Sequence, residues 1–103
     1  MPHQIGDEMR QCIQNCSDCH NVCTEMVDHC LRQGGPHAES GHIRLLLDCA
    51  EICATSADFM LRGADFHRQV CGVCADVCRL CAESCARFGD DPEMQRCADT
   101  CRR

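Results

Sequence analysis

The sequence predicts an all-α protein: an antiparallel up-down-up-down four-helix bundle with a short fourth helix and a Cys-lined core. Three observations carry this expectation. Four stretches place apolar residues or cysteines at intervals of three and four, the rhythm of a helix that buries one seam. Between them stand Gly34-Gly35-Pro36, Gly63 and Gly89-Asp90-Asp91-Pro92, all strong helix stops. The 103 residues are enough for a single domain, residues 1–103, around one core.

The first helix is expected from about Gly6 to Arg32, after a loose end at residues 1–4. Its seam is Cys12, Cys16, Cys19, Cys23, Met26 and Cys30, spaced 4, 3, 4, 3 and 4, with Ile5 and Met9 extending it backwards. Ile13, Val22 and Val27 flank the seam, and Arg10, Gln11, Asp18, Asn21, Glu25 and Asp28 form the outer face. The second helix begins between Pro36, suited to a first turn, and Ser40, suited to an N-cap, and ends near Arg62. Its seam is His42, Leu46, Cys49, Cys53, Ser56 and Met60. Ile43, Leu45, Leu46 and Leu47 exceed one stripe, so they either close one end of the core or pack against another subunit.

Asp65 is the expected N-cap of the third helix, which ends near Phe88. Its seam is Cys71, Cys74, Cys78, Cys81 and Cys85, spaced 3, 4, 3 and 4, with Val70, Val73, Val77 and Leu80 beside it. Pro92 opens the fourth helix, which carries Met94, Cys97 and Cys101. That helix is too short to return the full length of the bundle. One end is therefore expected to be open, with Met9, Met60, His67 and His3 near it.

Composition narrows the function. Cysteine is 14 of 103 residues, which points to a disulfide scaffold or a metal protein. A net charge of −6 without a basic block argues against nucleic acid or an anionic membrane as partner. No apolar run is long enough to span a bilayer, and MPHQIGDEMRQC lacks the pattern of a signal peptide. The expected compartment is the cytoplasm, where thiols stay reduced.

The spacing chooses between the two kinds of cysteine-rich protein. Twelve of the fourteen cysteines form Cys-x-x-x-Cys pairs: 12/16, 19/23, 49/53, 74/78, 81/85 and 97/101. Side chains at i and i+4 of a helix have Cβ atoms about 5–6 Å apart. A disulfide needs roughly 3.5–4.5 Å, so oxidation within a helix would distort it. Two sulfurs on one metal tolerate the helical separation, because each bond is about 2.3 Å long. The candidate metal ligands are Cys12, Cys16, Cys19, Cys23, Cys30, Cys49, Cys53, Cys71, Cys74, Cys78, Cys81, Cys85, Cys97 and Cys101. Met26 and His67 join them, because each stands one turn before a cysteine that lacks a Cys partner at that spacing.

Thiolate and thioether donors are soft and select Cu(I), zinc or iron–sulfur clusters. Buried thiolates need compensating charge. Cu(I) supplies it one for one, whereas zinc held by four thiolates leaves negative charge inside. The expectation is multiple Cu(I) ions per chain and no catalysis. Two alternatives stay open. An iron–sulfur electron carrier would want a compact Cys-x2-Cys-x2-Cys run, which is absent. A helical interaction module held by a few zinc ions would place its ligands on knuckles and loops. Among the histidines, His20 and His29 are expected to be partly buried structural residues. His37 and His42, near a helix start, are expected to be solvent-facing or capping.

The stretches CIQNCSDCHNVC, IRLLLDCAEICATSADFM, VCGVCADVCRLCAESC and MQRCADTC together resemble the cytosolic copper storage proteins, a family once filed as a domain of unknown function. The resemblance covers nearly the whole chain. It implies a bundle whose lumen binds many Cu(I) ions through Cys thiolates, with His and Met near an open end where copper enters. It also implies a homo-oligomer, a tetramer. Relatives usually carry a further Cys or Cys pair after the position of Cys101, so the fourth helix here looks shortened and the capacity reduced. Met26 and Ser56 stand where the richest members have Cys.

Overall fold

The computed structural model describes residues 5–103, which are 86% helical and, among the described residues, contain no strand. The order is α1 (Asp7–Gln33), a 3₁₀ turn (Gly35–Ala38), α2 (Ser40–Arg62), α3 (His67–Ala86) and α4 (Pro92–Arg102). α1 packs on α2, α2 on α3, α3 on α4 and α4 back on α1, while the diagonal pairs keep their backbones apart and meet only through side chains across the middle, as Cys23 with Cys81 and Cys49 with Cys101. The four seams therefore face one central lumen, as the up-down-up-down reading requires.

The glycines act as stops for a conformational reason. Gly63 is left-handed at φ 62° and ψ 38°, and its N–H donates to Met60 O while Ala64 N–H donates to Phe59 O. This is the pair of bonds that satisfies the last carbonyls of a helix. Gly34 ends α1 at φ 68°, with its N–H on Cys30 O.

Two caps differ from expectation. α2 is capped by Glu39, not Ser40: the Glu39 carboxylate accepts from Gly41 N at 2.8 Å and His42 N at 3.1 Å. The 3₁₀ turn delivers Glu39 in extended conformation, so Ser40 becomes the first helical residue. α3 begins after Phe66 without a side-chain cap. Its entering turn is closed by the backbone, His67 N–H to Ala64 O, which leaves Asp65 no capping role. Asp91 caps α4 through Oδ1, which accepts from Glu93 N at 2.9 Å.

Lengths decide which end is covered. α1 has 27 residues and α4 has 11, or about 40 Å against about 16 Å at 1.5 Å per residue. α4 starts beside the end of α1 and stops partway. Toward the far end, the start of α1, the end of α2, one side of α3 and the last residues of α4 line an open cavity of about 590 Å³. The apolar excess of α2 divides: Leu46 is fully buried, Ile43 and Leu45 are half-buried, and Leu47 faces out, half exposed.

Candidate metal centre

The core is made of sulfur more than of hydrocarbon. Cys19, Cys23, Cys30, Cys49, Cys53, Cys74, Cys81, Cys85, Cys97 and Cys101 are all buried, packed with Met26, Leu46 and Met94. All fourteen cysteines are free thiols. The sulfurs of ten of them form one continuous path. From Cys85 it runs to Cys97 at 3.6 Å, Cys23 at 3.9 Å and Cys101 at 3.7 Å. It continues to Cys19 at 3.4 Å, Cys49 at 3.6 Å, Cys78 at 3.7 Å, Cys53 at 3.5 Å and Cys74 at 3.6 Å. Cys81 joins at Cys23, 4.0 Å away.

These separations are far above the roughly 2.05 Å of a sulfur–sulfur bond. With metal–sulfur bonds of about 2.3 Å, separations of 3.4–4.0 Å correspond to S–metal–S angles of roughly 95–120°. One soft ion between each pair, and each sulfur shared by two ions, fits this path. Two tight groups stand out: Cys19, Cys23, Cys49 and Cys101, and Cys19, Cys49, Cys53 and Cys78, each with ligand atoms within 4.8 Å of one another.

Most of the close contacts cross between helices. Only Cys19–Cys23 and Cys74–Cys78, both at 3.9 Å, are i, i+4 pairs. The Cys-x-x-x-Cys spacing thus puts sulfurs on the right face, and the bundle register pairs them.

The thiols titrate as a coupled set. The Cys101 thiol is held below its usual range by neighbouring thiols that donate to it, chiefly Cys19, then Cys23 and Cys49. Cys23 is pushed up, chiefly by Cys101 and then Cys19. Cys85, with the thiols of Cys81 and Cys97 beside it, is held down to about 5 despite burial. Burial first, then the charge of Asp91, pushes Cys30 up to about 11. A few thiolates form easily by borrowing S–H donors; their neighbours keep protons until a cation replaces them.

The remaining predicted ligands lie elsewhere. Cys16 and Cys71 are half-buried and line the open cavity, where Ser56 Oγ sits 3.2 Å from Cys71 Sγ. Cys12 lines it too, yet is exposed, so the seam is not buried throughout. The cause is the early end of α4, which leaves the first turns of α1 uncovered. Met26 is buried in the core. His67 is half-buried on the first residue of α3 and is not among the side chains lining the cavity; Met60 is. The expectation for His3 falls outside the described residues.

The histidines correct the sequence reading in part. His20 donates from Nδ1 to Ala50 O, 2.7 Å away, and His29 lies 2.7 Å from Asp91 Oδ2. Both are structural, as expected. His37 is not solvent-facing: its Nε2 is 2.9 Å from the same Asp91 oxygen. Partial burial alone would raise the Asp91 carboxyl, but His29 and His37 hold it down to about 2. His42 is the larger departure. It is buried, because its first-turn position on α2 is folded against the ends of α1 and α3. Its Nε2 is 3.4 Å from Cys30 Sγ, whose other close neighbour is Met94 Sδ at 3.6 Å. The signal for both was the seam: His42 stands four residues before Leu46, and Met94 three before Cys97.

Comparison with known proteins gives a consistent result. The model of the family described as Csp, copper storage protein, matches residues 5–103. An uncharacterized cysteine-rich protein of Bacillus subtilis, YhjQ, is 37% identical over 87 residues, covering 84% of this chain and 80% of that protein. The crystal structure of the Nmul_A1745 protein from Nitrosospira multiformis superposes with a TM-score of 0.76 at 43% identity, covering 91% of each chain. The structure of Cu(I)-bound copper storage protein BsCsp3 superposes with a TM-score of 0.84 at 35% identity, covering 90% of this chain and 87% of that one.

Proposed function

The chain belongs to the copper storage protein family, and from that premise we propose that its thiol-lined lumen stores Cu(I), many ions per chain, without catalysis. The observation that carries this is the continuous path of reduced sulfurs at 3.4–4.0 Å, all of them buried except the half-buried Cys78. Each Cu(I) bridging two or three thiolates leaves the interior close to neutral, so the low-polarity core tolerates it. The proposed ligands are the fourteen cysteines, with Met26 as a flanking thioether and His67 as a donor near the open end. The open cavity, lined by Cys12, Cys16 and Cys71, supports it as the place where ions enter.

The protein is proposed to work in the cytoplasm, where a reducing pool keeps the ligands free; cell fractionation that recovers it in another compartment would contradict this. A tetramer is the assembly that the family resemblance implies. Leu47 and Leu61 on α2 and Val73 and Leu80 on α3 face outward from the bundle and support such packing. Light scattering should give four times the mass of one chain; the mass of one chain would rule it out.

Proton competition tests the storage reading. Thiols pushed up, such as Cys23 and Cys30, are protonated at neutral pH and must release a proton to each ion. Cu(I) affinity should therefore fall up to about tenfold per pH unit for each proton displaced. Cys85, held down to about 5, adds its own competition only below that pH. Chelator competition at several pH values should show affinity weakening steadily as pH falls from 7.5. Affinity flat with pH would indicate thioether or already ionised ligands and overturn the thiolate store.

A further inference from the structure

The end of the lumen away from the open cavity holds a group of donors that differs from the rest. Cys30 Sγ, His42 Nε2 and Met94 Sδ meet there, at 3.4 Å from Cys30 to His42 and 3.6 Å from Cys30 to Met94. They come from three elements, the end of α1, the first turn of α2 and the first turn of α4. Each residue is at most 1% exposed. Cys30 has no other sulfur as close, so the thiol path does not account for it.

We propose that Cys30, His42 and Met94 form a separate site for one soft monovalent cation, Cu(I) or Ag(I). The proposal rests on the copper-storage reading and adds to it a site with one thiolate and two neutral donors. Three features make the geometry fit. With metal–sulfur bonds of about 2.3 Å and a metal–imidazole bond of about 2.0 Å, the observed separations give angles near 105° at a shared ion. That is reachable without moving backbone. The charge balances: the Cys30 thiolate neutralises one monovalent cation, while the imidazole and thioether add donor atoms without charge.

The third feature is the support of His42. An ion on Nε2 leaves the ring proton on Nδ1, and Ser84 Oγ lies 2.8 Å from Nδ1 to accept it. Ser84 is itself held by Arg87, whose guanidinium donates to Ser84 Oγ at 3.1 Å and to Ser84 O at 3.2 Å. Phe88 packs on the imidazole with ring centroids 5.0 Å apart. A ligating histidine whose other nitrogen is fixed in this way is oriented and kept in the required tautomer. Asp91 Oδ1 accepts from Met94 N–H at 3.4 Å, which helps fix the start of the helix that carries the thioether. In forming the site, the Cys30 S–H bond breaks, its proton passes to solvent, and a sulfur–metal bond replaces it, with no change of oxidation state.

Silver alone provides a direct probe, since Ag(I) is closed-shell, soft and has a spin-½ nucleus. The reduced full-length protein is loaded anaerobically with Ag(I) and examined by proton–silver correlation. The expected result is one silver resonance coupled to both the Met94 methyl and the His42 ring protons. His42→Gln and Met94→Leu should each abolish that resonance and lower uptake by about one ion, with the remaining resonances unchanged. Silver coupled only to cysteine methylene protons, at full uptake, would overturn this site and leave the store intact. No silver or copper uptake at all would overturn both.

Discussion

Replacing Cys23 and Cys101 together by serine should lower Cu(I) capacity by about two ions per chain, whereas Cys12→Ser should lower it by less than one. The difference follows from where each sulfur sits. Cys23 is within 4.0 Å of Cys19, Cys81, Cys97 and Cys101, and Cys101 is also within 4.0 Å of Cys49. Serine keeps the shape of the side chain at slightly smaller size but offers a hard, neutral oxygen that Cu(I) binds poorly. Each lost thiolate leaves one cation without its counter-charge in a buried place, so that ion is not held. Ions bridged to the neighbouring sulfurs lose a ligand as well and should pass to a competing chelator sooner. Cys12 is exposed and has no sulfur within 4.0 Å, so its loss touches no shared ion. Capacity is read by anaerobic titration, with circular dichroism to confirm that each variant is helical. Equal losses per thiol removed, about two ions from the double variant and about one from Cys12→Ser, would mean that the sulfurs act one by one and that the bridged path is wrong.

The architecture was legible because its signals are local. Gly34 and Gly63 stop helices through their own backbone conformation, and Pro92 with Asp91 opens α4 through a cap that needs no distant partner. The seam spacing is local too, and it put sulfur on the inward faces. α4 spans Pro92–Arg102, less than half the length of α1.

What was not legible depends on register between helices. The spacing of Cys19 and Cys23 says nothing of Cys101, yet Cys101 is the nearest sulfur to Cys19. That pairing is set by how the α3–α4 turn places α4 along α1. His42 read as a surface residue because it stands near a helix start. It is buried because the 3₁₀ turn at Gly35–Ala38 brings the first turn of α2 against Cys30 of α1 and Ser84 of α3. The four-residue turn carries no pattern that forecasts that placement; the one signal for it was the seam spacing from His42 to Leu46. Cys12 shows the reverse failure: its seam position is regular, and only the missing cover of α4 exposes it.

The most direct measurement is the number of Cu(I) ions that the reduced, metal-free protein takes up in the absence of oxygen, against a chelator of known affinity. The chain has 14 thiols. If each supplies one negative charge to a neutral interior, saturation should fall near that number, on the order of one ion per thiolate. The loaded protein should stay colourless, since a filled d shell has no visible transitions. Saturation at one or two Cu(I) ions, or at about three zinc ions that copper fails to displace, would contradict a lumen built as a sheath of thiolates for monovalent cations.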